Sequence, residues 1–212
     1  TRVGEITLAL NGVLFLDEVG EFEGKTLETL RQPLEDGKIV ISRANFTMTY
    51  PVKSITITAS NPTPSGYFPD NPLCHDSPLD IKRYQKKFSG PLLDRMDLYV
   101  EMRQLKKEEL FCETLSEKSE VIQKRVIKAR EIQKKRFKSN MLNYAMTKRQ
   151  INKYCKIDKK TQEIMKEAVD NLKLSARMFD KLLKVSRTIA DLAGEENIKK
   201  EHLLEALNYR KK

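Results

Sequence analysis

The chain has 212 residues, 39% of them hydrophobic and 33% charged, which is enough for one domain or two small ones with a real core. Its three cysteines are widely spaced and form no Cys-x-x-Cys pair, which argues against a disulfide framework or a complete zinc site. No apolar run reaches the ~18–20 residues of a membrane span and the start has no signal-peptide layout, so we expect a cytoplasmic protein.

Positive charge is concentrated in the second half of the chain. Residues 1–100 carry 11 Lys/Arg against 13 Asp/Glu, whereas residues 101–212 carry 29 against 17. A basic surface attracts phosphate polyanions such as DNA. A helical domain with many exposed lysines would have the same charge without such a partner, so the composition leaves both interpretations open.

The first hundred residues alternate strand and helix patterns, which predicts an α/β layer structure. Residues 13–16 form a continuous apolar run, typical of a strand buried on both faces of a parallel sheet. Leu27, Leu30 and Leu34 then fall on one face of a predicted helix over residues 24–35. The elements predicted next are a hairpin over 38–50, a strand over 54–59, a proline-rich loop over 61–78, a short helix over 79–87, a turn over 89–96 and a third strand over 98–100.

Beyond about residue 103 no strand pattern recurs, which predicts an all-helical second domain over 104–212 after an α/β domain over 1–103. Thr147, Asp158 and Ser175 have the residue type of helix N-caps, and Gly194 that of a helix stop. The predicted helices are 106–113, 117–137, 147–154, 158–172, 175–193 and 199–208.

Polar residues follow the predicted strands of the first domain. Asp17 and Glu18 end the apolar run 13–16, and Asn61 follows the strand 54–59. The carboxyl ends of parallel strands meet at one sheet edge, so these side chains are expected to lie together. Phosphoryl transfer needs a carboxylate for Mg²⁺ and a second group that orients the attacking water, and the acid pair has that chemistry. A strand can also end in two acids, or in an asparagine turn, without any such role.

Arg95 lies in the turn Gly90-Pro91-Leu92-Leu93-Asp94-Arg95-Met96-Asp97, between apolar anchors. A guanidinium is a planar, permanently charged donor that can reach a phosphate. The alternative is a surface ion pair with Asp94 or Asp97, worth ~0–1 kcal/mol.

Four long motifs resemble the ComM-type, magnesium-chelatase-like AAA+ family in sequence and in order. They are Gly4 to Glu18 (GEITLALNGVLFLDE), Leu30 to Gly37 (LRQPLEDG), Ser89 to Leu98 (SGPLLDRMDL), and Leu174-Ser175-Ala176-Arg177 with Arg187 to Gly194 (RTIADLAG). The resemblance covers nearly the whole chain. It implies the second half of a P-loop ATPase core followed by a helical lid, in a protein that forms a ring, expected to be a hexamer, and uses ATP and Mg²⁺.

The resemblance also implies a role for individual residues. Asp17 and Glu18 match the Walker B pair, with Asp17 helping to hold Mg²⁺, and Asn61 matches sensor 1. Arg95 matches the arginine finger offered to a neighbouring subunit, and Arg177 matches sensor 2, which reaches the nucleotide. The predicted hairpin 38–50 matches an insert that faces the pore or a partner, and Arg43 is the charged residue near its tip.

Two departures from the family pattern matter. The phosphate-binding loop Gly-x-x-x-x-Gly-Lys does not occur in the 212 residues, so this chain is expected to be the later part of a longer protein and inactive by itself. The family's paired Cys-x-Cys motifs are replaced by Thr63-Pro64-Ser65 and Cys74-His75-Asp76. One cysteine and one histidine do not make a four-ligand site, so no structural zinc is expected.

Three functions remain open at this level. The resemblance favours a motor that couples ATP hydrolysis to DNA branch migration, and the basic stretch 124–138 fits phosphate contacts. Those lysines and arginines could equally keep an amphipathic helix soluble while Val126, Ile127 and Ile132 pack. The alternatives are a chelatase subunit that drives metal insertion into a porphyrin and a non-catalytic adaptor.

Overall fold

A computed structural model describes residues 4–43, 46–88, 90–103, 105, 111 and 116–210. The chain divides into two compact units, one ending at Met96 and the other beginning at Asp97. The first is mixed α/β and the second is helical, apart from an isolated parallel bridge between Ile157 and Ile198. Within the described ranges, no helix combines the length and the apolar composition of a bilayer-crossing segment.

The α/β unit has two small sheets. Strands β1 (Val13–Leu16) and β4 (Ile55–Thr58) pair in parallel, with Val13 opposite Ile55 and Leu16 opposite Thr58. Strands β2 (Lys38–Arg43) and β3 (Phe46–Pro51) form the predicted hairpin. The side chain of Arg43 and residues 44–45 lie outside the described part. The helices of this unit are α1 (Glu5–Leu8), α2 (Gly24–Thr29), α3 (Arg31–Asp36), α4 (Pro78–Lys86) and α5 (Gly90–Leu93).

The core of this unit lies under the short helices. Val19, Leu27, Leu30 and Leu92 are buried together, with Leu34 partly buried beside them. The predicted leucine face is therefore confirmed. The single helix predicted over 24–35 is wrong, because α2 ends at Thr29 and α3 begins at Arg31. Pro33 lacks an N–H and its ring clashes with the preceding turn, so a continuous helix through it would be strained.

Burial of β1 on both faces is also wrong for this chain. Leu14 is buried, but Val13 and Phe15 are 55% and 58% exposed. Their register partners Ile55 and Ile57 are exposed as well. These four side chains lie on one face of the parallel pair, and none of the described residues buries that face.

The helical unit comprises α6 (Ser119–Phe137), α7 (Lys148–Tyr154), α8 (Lys159–Leu172), α9 (Ala176–Leu192) and α10 (Lys200–Asn208). Thr147, Asp158 and Ser175 each accept a backbone N–H as N-caps, as predicted. Gly194 has φ +74°, which confirms the predicted stop. The core gathers apolar side chains from α7 to α10, among them Ile151, Met165, Leu182, Leu183 and Leu203.

Two further predictions for the second half have different outcomes. The strand predicted over 98–100 is wrong, since these residues belong to no ladder and the Tyr99 N–H instead donates to the Tyr209 carbonyl at 2.8 Å. The helix predicted over 106–113 falls mostly outside the described residues.

Candidate functional site

The acid pair Asp17 and Glu18 lies at the carboxyl end of β1. Backbone hydrogen bonds to the chain that follows β4 flank the pair on both sides. The Ala59 N–H donates to the Leu16 carbonyl, and the Ala59 carbonyl accepts from the Val19 N–H, both at 2.9 Å. Asp17 and Glu18 therefore sit between two hydrogen bonds to one residue of the chain leaving β4. Both are exposed.

Glu18 has an unusual backbone conformation. Its φ and ψ of 47° and 40° are left-handed, which non-glycine residues rarely adopt. Its N–H donates to the Asp17 Oδ1 at 3.0 Å. Strained residues persist where the surroundings hold them and are concentrated at functional sites. The conformation turns the chain directly from β1 into the 3₁₀ turn Val19–Glu21.

Asn61 is exposed and follows Ala59 by two residues, beyond the end of β4. The paired strands thus bring Asn61 to the same sheet edge as Asp17 and Glu18. Sequence reasoning predicted this shared edge from the parallel arrangement alone.

Helix α4 supports the segments that follow β1 and β4. The sequence did not lead us to predict this contact. The buried Tyr84 hydroxyl lies 3.1 Å from the Ser60 hydroxyl, and the Lys87 Nζ donates to the Gly20 carbonyl at 2.7 Å. A Cβ on Gly20 would come within 1.8 Å of the Tyr84 hydroxyl, so any larger residue there would displace the Tyr84 side chain. The available signal was the spacing of Tyr84 and Lys87, which places both on one helix face.

The loop after Asn61 is closed by a cluster of polar side chains. Ser65 donates to the Asp76 Oδ2 from its N–H at 2.9 Å and from its hydroxyl at 2.6 Å, and the Cys74 thiol lies 3.7 Å from the same oxygen. The buried Thr63 hydroxyl donates to the Tyr67 carbonyl at 2.7 Å. The Ser65 hydrogen bonds lower the pKa of Asp76. The segments 63–65 and 74–76 thus meet through hydrogen bonds, while His75 is exposed.

Metal-binding side chains do not cluster in this loop or elsewhere in the described ranges, where no group of three His, Cys, Asp or Glu residues could hold a metal ion. Cys155 is buried and its burial raises the thiol pKa to about 11. That thiol belongs to the helical core and is a poor nucleophile. Cys112 lies outside the described residues.

Arg95 follows α5, and its side chain contacts other residues of the α/β unit. Its guanidinium pairs with the Glu35 carboxylate on α3 and also donates to the Pro91 carbonyl. The Arg95 side chain is only 13% exposed. Leu92 anchors α5 in the core, which fixes where Arg95 emerges.

Arg177 belongs to the helical unit and lies in the first turn of α9, just after the N-cap Ser175. It is exposed. The second part of the same motif, Arg187 to Gly194, contains two charged residues. Arg187 and Asp191 are buried and hydrogen-bonded to each other at 3.1 Å, so we assign them a structural role.

Comparison with known proteins gives two family matches and several close relatives. Residues 1–110 match the family model described as magnesium chelatase, subunit ChlI, and residues 116–210 match that of its C-terminal part. Competence protein ComM of Haemophilus influenzae is 44% identical over 99% of this chain and 41% of its own length. The uncharacterized protein YifB of Escherichia coli is 41% identical over 98% of this chain and 40% of its own length.

A more distant relative, an uncharacterized protein of Mycobacterium tuberculosis, is 34% identical over 99% of this chain and 42% of its own length. The chain therefore spans about two-fifths of the length of the curated relatives it matches. The matches extend through both structural units, from the acid pair of β1 to α10. The chain belongs to the ComM-type, magnesium-chelatase-like AAA+ family.

Proposed function

We propose that this chain is part of a ring-forming ATPase that couples ATP hydrolysis to the remodelling of DNA. The observation that carries the proposal is the exposed acid pair at the end of β1, with Asn61 at the end of the adjacent parallel strand. An apolar strand ending in two carboxylates, beside a polar strand end, can supply a carboxylate for Mg²⁺ and a group that orients the nucleophile, which phosphoryl transfer uses.

Each side chain has a role in this proposal. Asp17 would hold Mg²⁺, and Glu18 would orient the water that attacks the γ-phosphate. Asn61 contacts that phosphate or the water. Arg95 serves the nucleotide of a neighbouring subunit, and Arg177 contacts the nucleotide from the helical unit.

The carboxylates present fit the Mg²⁺ of an ATP–Mg²⁺ complex, while the loop motif that would hold the phosphates does not occur in these 212 residues. Mg²⁺ is commonly held by one or two carboxylates, together with waters and the substrate phosphates, so a full protein cage is unnecessary. Asp17 is an exposed carboxylate that could supply such an oxygen. A bound ion would neutralise phosphate charge, and Glu18 and Asn61 would orient the nucleophile.

The DNA part of the proposal is supported by α6. From residue 119 to residue 128 every residue of this helix is exposed, and only Ala129 and Gln133 are buried along its whole length. Of the three residues that would pack in the alternative of a merely amphipathic helix, Val126 and Ile127 are 41% and 47% exposed and only Ile132 is partly buried. The exposed cations of α6 are Lys124, Arg125, Lys128, Arg130, Lys134 and Lys135. Such a run suits contacts to phosphates, and a relative carries the name competence protein.

A second candidate is an ATPase that drives metal insertion into a porphyrin, favoured by the family models' description as a magnesium chelatase subunit. The two candidates share the hydrolysis site and differ in what stimulates it. ATP turnover by the full-length protein, with DNA or with porphyrin and Mg²⁺, separates them. We expect DNA to raise turnover. A rise with porphyrin and Mg²⁺, and none with DNA, would support the second candidate.

A charge variant tests the α6 contact directly. Replacing Lys124, Lys128 and Lys135 by Gln should weaken DNA binding. The slope of the logarithm of the binding constant against the logarithm of the salt concentration should become shallower by as much as ~0.9 per lost phosphate contact. The matched control replaces three exposed lysines elsewhere in the helical unit, Lys159, Lys166 and Lys200. Equal losses in both variants would contradict a specific role for α6.

A further inference from the structure

The arginine proposed to act across a subunit interface is held by a carboxylate of its own unit. The Arg95 guanidinium pairs with Glu35 on α3 and donates to the Pro91 carbonyl, leaving 13% of the side chain exposed. Glu35 retains 33% exposure, so the pair is open to solvent on the Glu35 side. In this state the positive charge of Arg95 is directed to Glu35.

Glu35 lies at the base of the hairpin. It belongs to the last turn of α3, and β2 begins three residues later at Lys38. Between them Gly37 is left-handed, with φ 61°, and its carbonyl accepts the Val52 N–H at 2.7 Å, which closes the hairpin. Helix α3 and β2 are in contact. A displacement of β2–β3 therefore acts on α3, the helix that carries Glu35.

A phosphate and a carboxylate compete for one guanidinium, because both are anions that accept its donors in the same fork geometry. Arg95 can serve a neighbour's nucleotide only when it leaves Glu35. We propose that Glu35 is a positioning residue for Arg95, which restrains the guanidinium within its own protomer until movement of the hairpin β2–β3 releases it. The inference rests on the proposed ATPase function and adds its regulation.

The Glu35–Arg95 ion pair sets the equilibrium between restrained Arg95, which is paired with Glu35, and released Arg95. Loss of a partly exposed ion pair shifts such an equilibrium by about two- to fivefold. Glu35→Gln removes the charge and keeps the shape, so it should increase the released population. Asp36→Asn is the matched control, because Asp36 is the adjacent exposed carboxylate at the same helix end.

The test measures ATP turnover of the assembled full-length protein, with and without DNA. For Glu35→Gln we expect a DNA-independent kcat about two- to fivefold above wild type, an unchanged KM for ATP and a smaller stimulation by DNA. Asp36→Asn should behave as wild type. Should Glu35→Gln fail to assemble, Glu35→Asp shortens the reach to Arg95 and should raise kcat in the same direction.

The double variant Glu35→Gln with Arg95→Ala completes the test. If Glu35 acts through Arg95, the double variant has the turnover of Arg95→Ala alone. A kcat that falls in Glu35→Gln, that matches the Asp36→Asn control, or that still rises in the double variant overturns the inference. Absence of turnover in wild type overturns the proposed function instead, and the DNA-free measurement tests Glu35 whichever substrate the motor uses.

Discussion

At the scale of single residues, the candidate site depends on the backbone as much as on side-chain chemistry. The left-handed Glu18 is followed by Gly20, which leaves room for Tyr84. Tyr84 and Lys87 then tie the segments after β1 and β4 to α4. The carboxylates are exposed, but the backbone that carries them is fixed on both sides.

Replacing Glu18 by Gln in the full-length protein tests the proposed division of labour between the two acids. We expect turnover to be abolished while ATP binding is spared, because the change removes only the group that orients water and leaves Asp17 in place. Turnover assays and nucleotide titration measure the two effects separately. Glu21→Gln, at an exposed carboxylate in the following turn, is the control. Joint loss of affinity and turnover would make Glu18 a metal-binding or structural residue.

At the scale of elements, the motif Arg187 to Gly194 on α9 forms a buried ionic cluster. The Asp191 carboxylate, 1% exposed, accepts from the Arg187 Nε at 3.1 Å, from the Arg136 Nη1 at 2.7 Å and from the Asn143 Nδ2 at 2.8 Å. Arg187 also donates to the carbonyls of Glu195 and Glu196, both at 2.6 Å. Burial lowers the pKa of Arg187, and Asp191 opposes that shift. The cluster joins α6, α9 and the turn at Gly194.

Removing the carboxylate of this cluster should destabilise the helical unit strongly. Asp191→Ala leaves the buried Arg187 and the partly buried Arg136 without their counter-ion, which is expected to cost ~3–5 kcal/mol in unfolding free energy. Glu117→Ala is the control, since the Glu117–Arg125 pair is 42% and 51% exposed and should contribute below ~1 kcal/mol. Denaturant titration of this chain compares the two. Equal losses would show that Asp191 contributes no more than a surface charge.

At the scale of the whole molecule, the chain holds two units and only part of the proposed machinery. No phosphate-binding loop occurs in its sequence, and in the described residues one apolar face of the β1–β4 pair stays exposed. A heterologous, head-to-tail interface can place one subunit's arginine at the next subunit's nucleotide, and its closure makes a ring. The proposed hydrolysis site is then completed in trans.

Mixing two inactive variants of the full-length protein tests this arrangement. Arg95→Ala should lower turnover by ~10³-fold and leave nucleotide affinity nearly intact. Combined with Glu18→Gln protein, it should regain part of the activity, because some interfaces then pair an intact Glu18 with an intact Arg95. A mixture that stays inactive while mixed assembly is confirmed would show that Arg95 does not act across the interface.

The sequence by itself determined the family, predicted the strands β1 and β4, the hairpin and the later helices in their order, and nominated the residues of the candidate site. Hydrophobic periodicity, turn residues and N-cap residues are local signals. The strands β1 and β4, the hairpin and the capped helices α7 to α9 therefore follow from neighbouring residues. The shared edge of Asp17 and Asn61 also followed, since parallel strands have a fixed direction.

The tertiary structure decided which groups meet across long separations. Glu35 and Arg95 are 60 residues apart, and Arg136 and Asp191 are 55 apart, and no local pattern connects either pair. Tyr84 and Lys87 resemble ordinary helix residues until packing brings them to Ser60 and Gly20. Burial depends likewise on what covers a surface, which is why the apolar run of β1 reads as a buried strand while Val13 and Phe15 are exposed in this chain.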